Sequence, residues 1–205
     1  MTIPDEAAPR GLLAALAPVT DEQLASLHGR LAAEADQAGL LDVAYRTLDT
    51  PVGTLLLAAT PDGLVRVAYA REGHDNVLQA LARRVSPRVL HAPARLDQAA
   101  RQIEEYLAGR RHRFELSLDR RLSAGFRRAV LDQLPSIGYG CTASYAAVAA
   151  AAGRPRAVRA VGTACATNPL PLVVPCHRVV RSDGTPGSYA GGPAAKQLLL
   201  ALEAA

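Results

Sequence analysis

The chain has 205 residues and is 49% hydrophobic, enough for a sizeable core in one domain or two small ones, but only 4% aromatic. That core must therefore be aliphatic, built from Leu, Val and Ala. No stretch approaches the ~20 apolar residues of a membrane span. The run from Leu12 to Val19 is short and follows Asp5 and Glu6. That is a poor signal peptide, so a cytoplasmic location is expected. Cys141, Cys165 and Cys176 are odd in number, with no Cys-x-x-Cys spacing. They fit a reducing compartment and predict neither a disulfide frame nor a metal site.

The net charge of +4 is unevenly spread. Residues 120–205 hold ten Lys+Arg against Asp132, Asp183 and Glu203, for +7; the remaining 13 basic and 16 acidic residues give the first part −3. A basic second half suggests that this half meets a polyanion. Lys196 is the only lysine. The rest of the basic charge is arginine, whose planar fork suits bidentate contacts to phosphates and base edges.

Residues 1–19 read as weakly structured. Thr20 with Gln23 forms a capping box, and Leu24, Leu27 and Leu31 then fall on one helical stripe. The stripe is expected to pack on the domain that follows, and Gly39 to end the helix. Strand-like runs follow at Val43–Leu48, Val52–Thr60 and Leu64–Ala70, with a turn at Pro61-Asp62-Gly63. Asp75–Val85 and Ala94–Leu107 have apolar residues at helical spacing, the second closed by Gly109. The alternation Phe114, Leu116, Leu118 predicts one more strand. The reading is an α+β fold in three parts: a helical extension over 1–40, an α+β domain over 41–120, and a mostly helical domain over 121–205.

In that last part, Ala124–Leu134 is a helix ended by Pro135. Ser144–Ala152 is a second, with Ser144 as its cap. Gly153-Arg154-Pro155 breaks it, and Arg156–Thr167 is a third, stopped by Asn168-Pro169. Two short helices about a tight turn make a helix-turn-helix. Ala194–Glu203 is the last helix, with Pro193 near its first turn.

The densest chemical signal is Pro175-Cys176-His177-Arg178-Val179 after the apolar run Leu170–Val174. A nucleophilic cysteine needs help to become a thiolate, since its free pKa is about 8.5. A histidine oriented by a carboxylate can supply it.

Pro175-Cys176-His177-Arg178 resembles the active-site signature of the O6-alkylguanine-DNA alkyltransferases. The resemblance runs from about Phe126 to Glu203. It takes in Tyr139-Gly140, Ser144-Tyr145, Arg159-Ala160-Val161-Gly162, Asn168-Pro169 and Tyr189-Ala190-Gly191-Gly192, in the family's order and spacing. The first half is similar only in outline, through Pro51-Val52-Gly53 and Phe114. The resemblance implies a ribonuclease-like first domain with a small sheet. It also implies a single-turnover enzyme that moves an alkyl group from O6-alkylguanine in double-stranded DNA to Cys176, without a cofactor. O4-alkylthymine as a substrate is left open.

Carried onto this chain, Cys176 is the nucleophile, His177 a base acting through water, Glu203 the group orienting it, and Asn168 the residue holding the turn. Tyr145 donates a proton toward guanine N3. Tyr189 walls the pocket, with Ala190, Gly191, Val179 and Cys165 near it. Gly191 and Gly192 are expected to admit the flat base closely. Arg159 takes the place of the flipped base in the stack, on a helix in the minor groove with Ala157, Ala160 and Gly162; Arg154 and Arg156 are expected at phosphates. Two positions depart from the family: Ala190 stands where many members have serine, and Thr163 where a second glycine is frequent. The implied protein is a monomer in the cytoplasm, at the nucleoid when acting, with cooperative binding on DNA left open.

Two other classes fit part of the pattern. A helix-turn-helix DNA or lesion binder would use the basic half and Arg159 but has no need of Cys176, His177 and Glu203 together. A cysteine hydrolase or acyltransferase would use that set but has no need of the arginines after a tight turn.

Overall fold

The computed structural model describes residues 20–204; the run Leu12–Val19 and the reading of residues 1–19 fall outside them. Helix α1 spans Asp21–Gln37 and starts at the expected capping box, with the Gln23 amide donating to Thr20 Oγ1 at 3.2 Å and the Thr20 amide to Gln23 Oε1 at 3.0 Å. Gly39, at φ +66°, turns the chain away after it. The leucine stripe does not pack as expected. Leu24, Leu27 and Leu31 are 46%, 54% and 51% exposed, and the helix rests instead on buried Ala32 and half-buried Ala35. The small alanines let the backbone lie close, and an Arg95–Asp36 ion pair tethers its end.

Strands β1 (Val43–Leu48), β2 (Leu55–Thr60), β3 (Gly63–Tyr69) and β4 (Val89–His91) form one sheet in the order β3-β2-β1-β4. The first three pair antiparallel, and β4 runs parallel to β1. Side chains alternate across a strand. In β2, Leu55 and Leu57 face helix α3 (Asp97–Leu107) with Ile103 and Tyr106, while Leu56 and Ala58 face helix α2 (His74–Arg84) with Val77 and Leu81. Both faces are covered, which explains why β2 is an unbroken apolar run rather than an alternating one.

The segment Phe114–Leu118 is not a full strand: it makes a single parallel bridge, Leu64 to Leu118. Its backbone is satisfied another way. The buried side chain of Gln102 accepts from the Glu115 amide at 2.8 Å and donates to the Glu115 carbonyl at 3.1 Å. β4 was absent from the sequence reading. Its three residues are too few to show a period.

The second half holds helices α4 (Gly125–Gln133), α5 (Tyr145–Ala151), α6 (Val158–Ala166) and α7 (Gly192–Glu203), and a short parallel pair, β5 (Ala143–Ser144) with β6 (Val179–Val180). Ser144 caps α5 by accepting from the Ala147 amide at 3.1 Å. α5 and α6 form the helix-turn-helix around Gly153, which sits at φ +76°. Leu170–Val180 then runs buried through the middle of the molecule. In it Leu172 holds a left-handed φ of +72°, a strained conformation for a branched side chain.

The halves meet at the end of β3. The Val67 amide donates to the Pro169 carbonyl at 2.9 Å, and the Arg66 guanidinium to the same carbonyl at 3.2 Å. The Tyr69 and Tyr189 hydroxyls pair at 2.9 Å.

Candidate active site

Cys176, His177 and Arg178 form a tight helical turn after Pro175, and all three are buried. Asn168, at the end of α6, organises the approach to it. Its amide donates to the Val174 carbonyl at 2.9 Å and to Cys176 Sγ at 3.2 Å, while its oxygen accepts from the Leu170 amide at 3.0 Å. One side chain thus closes the turn and places a donor on the sulfur, where an anion would gain most from it.

Glu203, in the last turn of α7, is buried. His177 Nε2 lies 2.9 Å from its Oε1. Arg178 grips the same carboxylate through Nε and Nη2, each at 2.9 Å, and spends Nη1 on the Ile137 carbonyl at 2.6 Å. Tyr106 donates to Glu203 Oε1 as well, and its hydroxyl lies 3.2 Å from His177 Nε2. Gly140 completes the set, its amide donating to Oε2 at 3.2 Å. Here glycine is required twice over: φ is +73°, and a Cβ would lie 2.8 Å from the Glu203 carbonyl oxygen.

The charges follow from this packing. Burial pushes the Glu203 carboxyl up, but hydrogen bonds from His177, Arg178 and Tyr106 outweigh it and hold the group down at about 2. Glu203 is therefore an anion. Burial lowers the His177 pKa more than Glu203 raises it, so the imidazole rests neutral. An anionic acceptor at Nε2 keeps the proton on that nitrogen. The lone pair then sits on Nδ1, which is buried without a partner among the described residues.

Burial pushes the Cys176 thiol up to about 11, against the pull of Asn168 and of Lys196. The sulfur therefore keeps its proton at rest and needs a base to become a thiolate, as the residues suggested. It is 1% exposed. Tyr145 is half-buried, and its burial raises its pKa, so it holds its proton at neutral pH. Tyr189, Val179 and Cys165 are buried and Ala190 half-buried; Cys165 packs in the core from α6.

Gly191 and Gly192 lie against the first half of the chain. A Cβ on Gly191 would lie 2.6 Å from the Tyr69 ring, and one on Gly192 would lie 2.5 Å from Arg71. The Tyr69 ring demands glycine at 191, while at 192 the left-handed φ of +87° does so, since the Arg71 guanidinium ends a flexible side chain and can move aside.

On the outer face, Arg159 and Ala160 are exposed on the first turns of α6, with Ala157 and Gly162 half-buried beside them. Arg159 makes no ion pair among the described residues. Arg156 is also exposed, while Arg154 lies over the Phe126 ring at 5.2 Å.

Sequence reasoning missed Tyr106, Lys196 and Tyr69. Tyr106 sits three residues after Ile103 on the α3 stripe, where it passes for core. Lys196 stood out as the only lysine, yet nothing local announces that it is fully buried and donates to the Val179 carbonyl at 2.6 Å.

A buried cysteine turn wired to a histidine and a carboxylate, carried behind an arginine-bearing helix-turn-helix, defines a nucleophilic site beside a nucleic-acid-binding surface. Comparison with known proteins narrows that class. Residues 43–120 match the ribonuclease-like domain, and residues 125–205 the DNA binding domain, of 6-O-methylguanine DNA methyltransferase. The chain belongs to this family. It is 37% identical over 150 residues to the constitutive methylated-DNA–protein-cysteine methyltransferase of Bacillus subtilis, covering 72% of this chain and 86% of that one. It is 38% identical over 161 residues to the methylated-DNA–protein-cysteine methyltransferase of Mycolicibacterium paratuberculosis, covering 78% and 92%. Among solved structures, the Mycobacterium tuberculosis protein in complex with DNA matches with a TM-score of 0.67 and 34% identity, covering 78% of this chain and 92% of that one.

Proposed function

We propose that this protein repairs DNA by moving the alkyl group of O6-alkylguanine in a duplex onto Cys176, once per molecule. The observation that carries the reading is the sulfur under the Asn168 amide, next in chain to an imidazole whose other nitrogen is engaged by a carboxylate. The sulfur attacks the alkyl carbon in line. A carbon–sulfur bond forms, the carbon–O6 bond breaks, and its electron pair collapses onto the purine. The thiol proton leaves through a water to His177 Nδ1, the nitrogen left with its lone pair. The resulting imidazolium is stabilised by the Glu203 anion, and Tyr145 offers a proton toward guanine N3. One proton leaves the sulfur for His177 and one passes from Tyr145 to the purine, so guanine departs neutral, and the Tyr145 phenolate then takes back a proton as the imidazolium releases one, both through solvent. The thioether has no return path.

The target base must leave the stack, at a cost of about a few kcal/mol, less for a damaged pair. Arg159 fills its place, and α6 lies in the minor groove, whose degenerate code suits a protein that needs no sequence preference. Two features favour this face. A Cβ at Gly162 would meet nothing within 4 Å, so internal packing does not demand the glycine. The neighbouring Ala157 and Ala160 keep the surface low. Arg156 and Arg154 serve the phosphates, Arg154 from its seat on Phe126.

The division into an extension over 1–40, an α+β domain over 41–120 and a DNA-binding domain over 121–205 belongs to the same reading. So does action as a monomer in the cytoplasm and at the nucleoid. Among the described residues no helix is long and apolar enough to cross a membrane.

The test is to incubate the protein with duplex DNA carrying O6-methylguanine and to weigh the peptide containing Cys176. One methyl per protein is expected. In Cys176→Ala, transfer falls to nothing while DNA affinity stays within about twofold, since the sulfur faces the core and not the phosphates that dominate affinity. Tight binding by the native protein without any mass change would overturn the proposal in favour of a lesion binder.

A further inference from the structure

Tyr189 is the pocket wall of the reading above, yet its position is not set by its own half of the molecule. Its hydroxyl meets that of Tyr69, at the end of β3, at 2.9 Å, and the two rings lie edge to face with centroids 5.6 Å apart. Both residues are buried, at 6% and 3% exposure. The contact continues along the chain. The Tyr69 ring fills the space a Cβ of Gly191 would need, and Arg71 fills that at Gly192. The segment Tyr189–Gly192 is therefore docked on the end of β3 and the turn after it. Tyr189 also faces the catalytic turn, its ring 6.1 Å from that of His177 at a steep angle.

This packing has a steric consequence. A wall can give way to a larger ligand only if its neighbours leave it room, and here the Tyr69 ring packs edge to face against Tyr189 and its hydroxyl pairs with that of Tyr189. A hydroxyl bond in a buried site also resists sliding, because breaking it leaves both phenols unpaired away from water. We propose that Tyr69 is a positioning residue that sets alkyl-group specificity: by holding Tyr189 in place it restricts the site to small groups such as methyl. The inference rests on the alkyl-transfer reading and deepens it. It assigns a part of substrate choice to the half of the chain that carries neither the nucleophile nor the DNA-facing helix.

The experiment measures single-turnover alkylation of Cys176 in the full chain with duplexes carrying either O6-methylguanine or O6-benzylguanine. The readout is the benzyl-to-methyl rate ratio for the native protein, Tyr69→Leu and Tyr69→Phe. A ratio within one preparation cancels differences in folded fraction and in DNA affinity, which a merely structural role would move. Tyr69→Leu should raise the ratio about tenfold or more, the scale carried by a methylene or two of pocket space. Tyr69→Phe keeps the ring and loses the hydroxyl bond, and should raise it about two- to fivefold. Should Tyr69→Leu fail to fold, the near-isosteric Tyr69→Phe decides by itself. Ratios within about 1.5-fold of the native value in folded variants that still methylate would overturn the role of Tyr69 and leave the alkyl-transfer reading intact. A native protein that takes neither group would remove both.

Discussion

The cluster around Glu203 and the open face of α6 are both built on arginine, but they handle charge in opposite ways. In the cluster, Arg178 is buried, and both carboxylate oxygens of Glu203 have partners drawn from Tyr106, Gly140, His177 and Arg178. On α6, Arg159 stands exposed without an ion pair among the described residues. Inside the protein a charge is costly unless paired, and removing one partner leaves the other stranded. Outside, water and salt screen the charge, and an unpaired arginine costs little until a polyanion arrives. One region is therefore positioned before any ligand binds; the other is kept available.

The sharpest way to break this contrast is Glu203→Ala. It strands Arg178 and frees His177, and should cost about 3–5 kcal/mol of stability, read from denaturant midpoints. A pH series tests the same point with the native protein. Glu203 titrates at about 2 in the fold against an ordinary 4.5, so its folded pKa is depressed. Its contribution is complete above 4.5 and is lost as pH falls from there toward 2. Replacing Glu203 should flatten that acid limb; an unchanged limb would assign the loss to other carboxylates.

Arg159→Ala should do the reverse. Stability should stay within about 0.5 kcal/mol, as for other exposed substitutions. Repair in duplex DNA should slow roughly tenfold, a share of the few kcal/mol that flipping costs, while reaction with the free alkylated base stays unchanged. Equal slowing on both substrates would remove the flipping role.

The smallest effect is expected on α1. Leu27→Ser should change stability by less than about 0.5 kcal/mol, because that leucine is 54% exposed. A loss of several kcal/mol would mean that the stripe is covered in solution.

How far the sequence could be read depended on range. The capping box at Thr20, the cap at Ser144, the breaks at Gly153 and Asn168-Pro169, and the strands β1 to β3 were all legible, because each depends on residues a few positions apart. The order and spacing of the Cys-His-Arg turn, Asn168 and Glu203 were legible through a resemblance, and so was the helix carrying Arg159. The leucine stripe of α1 misled, since periodicity reports an apolar face but not whether anything lies against it. Phe114–Leu118 misled because its backbone partners come from Gln102, a side chain on another element.

By itself the sequence determined the order of elements and the division of charge between the halves. These are properties of neighbours along the chain and of composition. Only the tertiary structure decided that burial raises the thiol's proton affinity, that Tyr106 and Arg178 share the Glu203 carboxylate, and that Tyr69 packs against Tyr189. Proton affinity depends on how much water and which charges surround a group, and those surroundings are assembled from residues a hundred positions apart.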